Sequence, residues 1–282
     1  MSLRGMTKYN IPPGAVVAVV ADGELVYAKG YGYADIETQS PVNPEETLFH
    51  VGSITKLFTW TCVMQQVEAG TIDLDADVNT YLKDFSIPET YPGKPVTMRH
   101  LMTHSAGFEE MEVHFAVAEP ADLYSYRIYC RENIPPALVY PPGGTVSSYS
   151  NYGTTLAAVI VEDITGIPPY DHYVQENILG PLGGMKDTIV SYPEAPEQDE
   201  NTASGYHYTS ANIAVPDTVF VIGPAGTISS TATDMAKFVG GVHMENGTLN
   251  GVQILAPETA RLMHAPALQR PPPGKQHVPW VL

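Results

Sequence analysis

"HVGSITKLFTWTCVMQQVEAG", running from His50 to Gly70, is the stretch on which the fold turns. Ile54, Leu57, Phe58, Val63, Met64 and Val67 recur at helical spacing, and Gly70 is a natural stop. The segment is apolar over more than one stripe, which puts the helix in a core rather than on a surface. A serine at its start is by default an N-cap. Lys56 has no such default. It lies one turn on, about 5–6 Å from Ser53 at Cβ, where it opposes the helix macrodipole. A buried lysine needs a partner or a lowered pKa. A chemical reading accounts for both residues. A desolvated amine takes or relays a serine proton, and the helix N-terminus offers donors to an oxyanion.

Upstream, "AVVAVV" (15–20) and "LVYAKGY" (25–31) flank Asp22-Gly23, a hairpin signal. The first run is continuously apolar, so that strand is expected to be covered on both faces. Downstream, from Thr71 to about Tyr208, the chain reads as short helices and loops rich in Pro, Gly and Tyr. "TMRHLMTHSAG" suggests a short helix there. "NYGTTLAAVIVEDITG" suggests a longer one with an asparagine start and a glycine stop. "VFVIGPAGTISSTATDMAKFVGGV" passes from a β-like piece through a glycine turn into a helix, with Thr231 and Asp234 near capping-box spacing. The tail "APALQRPPPGKQHVPWVL" reads as an extended surface segment. No internal repeat or low-complexity tract interrupts this order.

The 282 residues suffice for a sizeable core, and 44% of them are hydrophobic. Asp and Glu number 31 against 14 Lys and Arg, a formal charge of -17. That excludes a general phosphate-backbone binder, which needs a basic face. Cys62 and Cys130 do not make a disulfide framework, and Cys62 reads as a small core residue. No run approaches the length of a membrane span. "MSLRGMTKYN" carries no apolar stretch of signal-peptide type. The expected compartment is the cytoplasm for a complete chain, and the periplasm or exterior for a mature or trimmed one.

A second chemical element is Tyr149-Ser150-Asn151 in "SSYSNYG". Its ordinary reading is a loop tyrosine. The chemical reading is a phenolate held near an ammonium, whose charge lowers the phenol pKa and makes it a general base. Asn151 would bind a substrate amide or carbonyl through its carboxamide.

With Ser53-Ile54-Thr55-Lys56 as S-x-x-K and Tyr149-Ser150-Asn151 as Y-x-N, the chain resembles the serine β-lactamase and penicillin-binding-protein superfamily. The branch is that of class C β-lactamases, D-amino-acid-releasing peptidases and family VIII carboxylesterases. "GTIDLDADVNTYLKDF" is similar to the loop after the nucleophile helix, "VTMRHLMTHSAGF" to the L-L-T-H-T-S-G-L segment, and "GPAGTISSTATDMAKF" to the P-A-G-G-L-x-S-T-A-x-D region, with Thr227 where a second glycine is common. The resemblance implies an α/β (α+β) fold of β-lactamase/transpeptidase type, an antiparallel sheet lobe flanked by helices plus a mainly helical lobe. Residues 1–70 would form the first part of the sheet-containing lobe with the nucleophile helix, 71–208 the mainly helical lobe, and 209–282 the return to the sheet lobe. Ser53 would sit in the cleft between the lobes.

The resemblance also implies an acyl-enzyme. Ser53 would attack a carbonyl, Lys56 and Tyr149 would handle its proton and then activate the deacylating water, and Asn151 would orient substrate. The Ser53 backbone N–H would form half of an oxyanion hole. His104 is a rival base for a Ser-His pair, but its matched segment is structural in the family. No G-x-S-x-G elbow, H-E-x-x-H or Cys/His cluster appears, so no cofactor or metal is expected. The family's third motif, K-T-G or H-x-G, has no match after Phe238. The sheet would lack its C-terminal strands, and the expectation is an incomplete chain, with completion of the site by another segment or subunit as the other reading. The expected function is a serine hydrolase for small esters or amides. Carboxylesterase is favoured over β-lactamase or D-amino-acid peptidase, because no cation is in view for a β-lactam carboxylate. A non-catalytic penicillin-binding or scaffold protein of the same fold is the alternative of a different class. The expected partners are small-molecule esters, amides or β-lactams, with no nucleic acid and no membrane span, and a homo-oligomer is compatible with the chain.

Overall fold

A computed structural model of the chain describes residues 12–110, 116–117, 122–144, 146–190, 201–207, 213–215, 219–244 and 246–265. The first residues and the proline-rich tail, both read above from sequence, lie outside that set.

Strands β1 (Gly14–Ala21) and β2 (Glu24–Asp35) form an antiparallel hairpin, and β3 (Ser40–Pro41) joins β2. The turn falls at Asp22 and Gly23, with φ of 51° and 75°. Both are left-handed, as a two-residue hairpin turn requires. Gly30 is dictated by a close crossing: a Cβ there would lie 1.9 Å from the carbonyl oxygen of Val42. The expectation that β1 is covered on both faces does not hold. Val17 is 42% and Val19 44% exposed, while Val16, Ala18 and Val20 are half-buried beneath the helix Ala232–Phe238. An apolar run alone does not tell a strand how many neighbours it has, and only one face has found a partner among the described residues.

Strand β4 (Phe49–His50) pairs antiparallel with Ser229–Ser230, and the Val51 N–H donates to the Ile228 carbonyl at 2.9 Å. A tight 3₁₀ turn, Gly52–Ile54, then leads into helix α1 (Thr55–Glu68). Phe58, Cys62, Val63 and Met64 of α1 are essentially inaccessible, which explains why its apolar residues wrap around the axis. The helix stops at Gly70, whose φ is 72°. Helix α2 (Met98–Met102) is opened by a capping box between Thr97 and His100. Helix α3 (Tyr126–Glu132) is bound to helix α4 (Asn151–Thr165) through Arg127, which reaches Glu162 at 3.1 Å and Asp163 at 2.9 Å. Helix α4 starts at its asparagine, as the sequence suggests, with Ser150 as the cap before it, and Gly166, at φ 69°, closes the other end.

The core is shared by α1, α4 and the later helices. Leu156 to Val161 of α4 are fully buried. Phe58 of α1 stacks on Phe238 with ring centroids 3.8 Å apart and planes 11° from parallel. Thr231 accepts from the Asp234 N–H at 3.2 Å, but Asp234 does not return the capping bond, because its carboxylate takes Lys237 and the Asp187 N–H. The remaining strand pairs are short: Ala116–Val117 with Val219–Phe220, Gly205–His207 with Ile213–Val215, and Thr248–Leu249 with Val252–Gln253. No helix among the described residues is long and apolar enough to cross a membrane.

Candidate active site

Ser53 is not the helix cap its position suggests. It lies inside the 3₁₀ turn, no side chain caps either that turn or α1, and its Oγ is 2.7 Å from the Tyr149 hydroxyl. The serine itself is exposed. It stands where α1, the start of α4 and the helical turn Gly223–Gly226 come together. Two contacts fix that meeting. Thr59 donates to the Pro224 carbonyl at 2.7 Å, and Thr55 accepts from the Ile228 N–H at 3.1 Å.

Lys56 lies directly beneath, 1% exposed. Its Nζ donates to Asn151 Oδ1 at 2.7 Å, to the Ala225 carbonyl at 2.7 Å and to Ser53 Oγ at 3.3 Å. An ammonium has three hydrogens, and all three have acceptors. Burial lowers the Lys56 pKa to about 8, against a smaller upward pull from the Glu110 carboxylate. Losing one proton leaves two N–H groups for the two carbonyl oxygens and a lone pair for Ser53. The amine is then a base aimed at the serine hydroxyl.

Tyr149 departs from the phenolate expectation. Burial raises its pKa and Glu110 adds to the rise, while the Ser53 hydrogen bond opposes them. The Lys56 Nζ lies 4.9 Å from the centre of its ring. Tyr149 is therefore a neutral phenol near pH 7, suited to relaying a proton rather than holding a negative charge. His104 packs behind it, ring centroids 4.5 Å apart, and accepts the Ser150 N–H at Nδ1. Burial and the Lys56 charge lower its pKa to about 4. No hydrogen bond joins His104 to Ser53 among the described residues, so the rival Ser-His pair is not formed.

The structure thus brings Ser53, Lys56, Tyr149 and Asn151 together, all four flagged from sequence. It adds two groups that the sequence did not announce. One is the Ala225 carbonyl. The other is Glu110, which accepts the Asn151 backbone N–H at 2.8 Å and its Nδ2–H at 2.7 Å. The paired glutamates of "HSAGFEE" were the available signal, in a chain with few charges. After Phe238 the only strand pairing among the described residues is the Thr248–Leu249 hairpin, so no strand there borders Ser53. No group of three or more His, Cys, Asp or Glu among the described residues is placed to hold a metal.

A family model described as Beta-lactamase matches residues 4–281. The putative penicillin-binding protein PbpX of Bacillus subtilis is 30% identical over 78% of this chain and 52% of its own length. The monacolin J acid methylbutanoyltransferase of Aspergillus terreus is 28% identical over 92% of this chain and 68% of its own. Among solved structures, the octameric penicillin-binding protein homologue from Pyrococcus abyssi superposes with a TM-score of 0.77 at 27% identity, over 99% of this chain and 62% of that one. The chain spans about half the length of the first of these relatives.

Proposed function

The chain belongs to the Beta-lactamase family, and from that premise we propose that it is a serine hydrolase acting through an acyl-enzyme on small esters or amides, with carboxylesterase the favoured activity. One observation carries the proposal: an exposed serine oxygen held 2.7 Å from a tyrosine hydroxyl and 3.3 Å from a buried lysine of lowered pKa. Ser53 Oγ bonds to the substrate carbonyl carbon while its proton passes to Lys56, directly or through Tyr149. Lys56 returns that proton to the departing alkoxide or amine. A water then attacks the acyl carbon and gives a proton to Lys56, the bond from that carbon to Ser53 Oγ breaks, and Lys56 hands the proton to Oγ, which restores the hydroxyl and frees the acid.

The ester preference rests on charge. Lys56 is the cation that the described residues bring to Ser53, and its hydrogens already have protein acceptors. Glu110 adds a negative charge behind it. A substrate carboxylate finds no free partner in that arrangement. The methylbutanoyltransferase relative, named for moving an acyl group, supports acyl transfer outside β-lactam chemistry. The second reading is a penicillin-acylated protein without turnover, favoured by the relatives named penicillin-binding proteins.

Intact mass spectrometry after a fluorophosphonate or a penicillin, with a short-chain nitrophenyl ester and nitrocefin assayed side by side, tests both. Ester turnover with a fluorophosphonate adduct on Ser53 is expected. A stable penicillin adduct without turnover of any substrate favours the second reading, and no adduct under any condition overturns both.

A further inference from the structure

We infer that Glu110 is a positioning residue for the Ser53 chemistry: by accepting two hydrogens from Asn151 it turns that side chain's carbonyl oxygen onto Lys56 and holds the lysine beside the serine. The inference rests on the reading of Ser53 as nucleophile and deepens it.

The argument begins with the carboxamide. An asparagine side chain has two ends of nearly equal shape and opposite hydrogen-bonding character, so its neighbours decide which way it faces. An ionised carboxylate only accepts, and an ammonium only donates. Asn151 lies between one of each. Its Nδ2 gives a hydrogen to Glu110 Oε1 at 2.7 Å, and its Oδ1 takes one from Lys56 Nζ at 2.7 Å. The reversed orientation would set oxygen against carboxylate and N–H against ammonium. Glu110 also fixes the residue's main chain, because Oε2 accepts the Asn151 N–H at 2.8 Å. That N–H belongs to the first residue of α4, which has no partner within the helix, and a carboxylate there complements the helix dipole. The two bonds to one carboxylate leave Asn151 little freedom to turn.

The consequence reaches the serine through Lys56. With Oδ1 of Asn151 and the Ala225 carbonyl each holding one hydrogen of Nζ, the third direction of the nitrogen points at Ser53 Oγ. Without a fixed Oδ1, the amine is free to rotate away from the serine. Glu110 acts on the charge of Lys56 as well. The titratable groups facing Lys56 are Glu110 from the segment after α2, Tyr149 from the segment before α4, and His104. Glu110 favours the ammonium, and His104 is held neutral by burial and by Lys56 itself. A role confined to capping α4 would affect stability and leave the rate of Ser53 labelling in the folded protein alone.

The test is the rate of fluorophosphonate labelling at Ser53, followed against pH in wild type, Glu110→Gln and Glu110→Asp. Glutamine keeps the shape but cannot accept both hydrogens. Its labelling rate should fall on the order of tenfold to a hundredfold. The midpoint of its acid limb should move down by roughly half to one pH unit, because the carboxylate that favours the ammonium is gone. Aspartate keeps the charge on a shorter arm, so its rate should fall while the midpoint stays. A Glu110→Gln profile with the wild-type midpoint, or Glu110→Asp labelling at the wild-type rate, overturns the inference even while Ser53 is labelled in wild type. If Glu110→Gln does not melt cooperatively, the aspartate rate decides. Absence of labelling in wild type overturns the nucleophile reading, and this inference with it.

Discussion

Two serines open two buried helices in this protein, and they have opposite fates. Ser150 is 3% exposed and its Oγ accepts the Gly153 N–H at 3.0 Å, so it is committed as the cap of α4. Ser53 is exposed, caps nothing, and turns its Oγ to Tyr149 and Lys56. The backbone makes the difference. A cap needs a residue in extended conformation, and Ser150 has it, with φ −144° and ψ 117°. Ser53 instead sits within a 3₁₀ turn whose flanking residues are already helical. The contrast teaches that a hydroxyl at a helix start remains available for chemistry when the local backbone denies it the cap.

The contrast breaks most sharply at Ser53 itself. Ser53→Ala should abolish labelling and lower ester turnover by on the order of 10⁴-fold or more. Its stability in urea should change by less than about 0.5 kcal/mol, since no cap is removed. A loss of about 1 kcal/mol would mean that Ser53 caps α1 after all. Next come its two neighbours. Lys56→Ala and Tyr149→Phe should each cost about 10²- to 10⁴-fold in kcat/KM. The double variant should lose little more than the worse single one, because the three groups act as a unit. Additive losses would make the tyrosine a bystander.

A smaller effect appears with pH. Lys56 must shed a proton to serve as base, so kcat/KM for an ester should climb with pH and level off above about 8. His104, lowered to about 4, and Tyr149, raised above its ordinary value, put no inflection into that range. A profile without an inflection near 8 would remove Lys56 from the role. The smallest effect belongs to the other serine. Ser150→Ala should cost about 1 kcal/mol in urea unfolding, as a lost cap does. Ser53 should still be labelled in that variant, and a complete loss of labelling would erase the distinction between the two serines.

The sequence carried part of this. Helix α1 was legible because six apolar residues at helical spacing, closed by a glycine, leave few alternatives. The hairpin was legible because Asp22-Gly23 is a strong turn signal. Ser53, Lys56, Tyr149 and Asn151 stood out through two short motifs and the resemblance those motifs carry. Glu110 and the Ala225 carbonyl did not, because each is defined by a contact across a long stretch of chain and a carbonyl leaves no mark in a sequence. The cover over β1 was misread because an apolar run reports preference, not the presence of a partner. The phenolate expectation departs from the structure for a related reason: the burial that raises the Tyr149 pKa is a property of the folded state.

The contacts that define Ser53 have a consequence for how the molecule comes to be active. Tyr149 is 96 residues away along the chain, and Ala225 is 169 residues from Lys56. Contacts of such separation carry a large loop-closure entropy and form slowly, whereas helices such as α1 and α4 draw on neighbours a turn apart. The expected order is that the helices gain their shape before the serine gains its partners. In refolding from urea, the far-ultraviolet signal should recover ahead of fluorophosphonate labelling. Labelling then reads the last stage of folding, and a destabilised variant should lose it while most of its helix content is still in place.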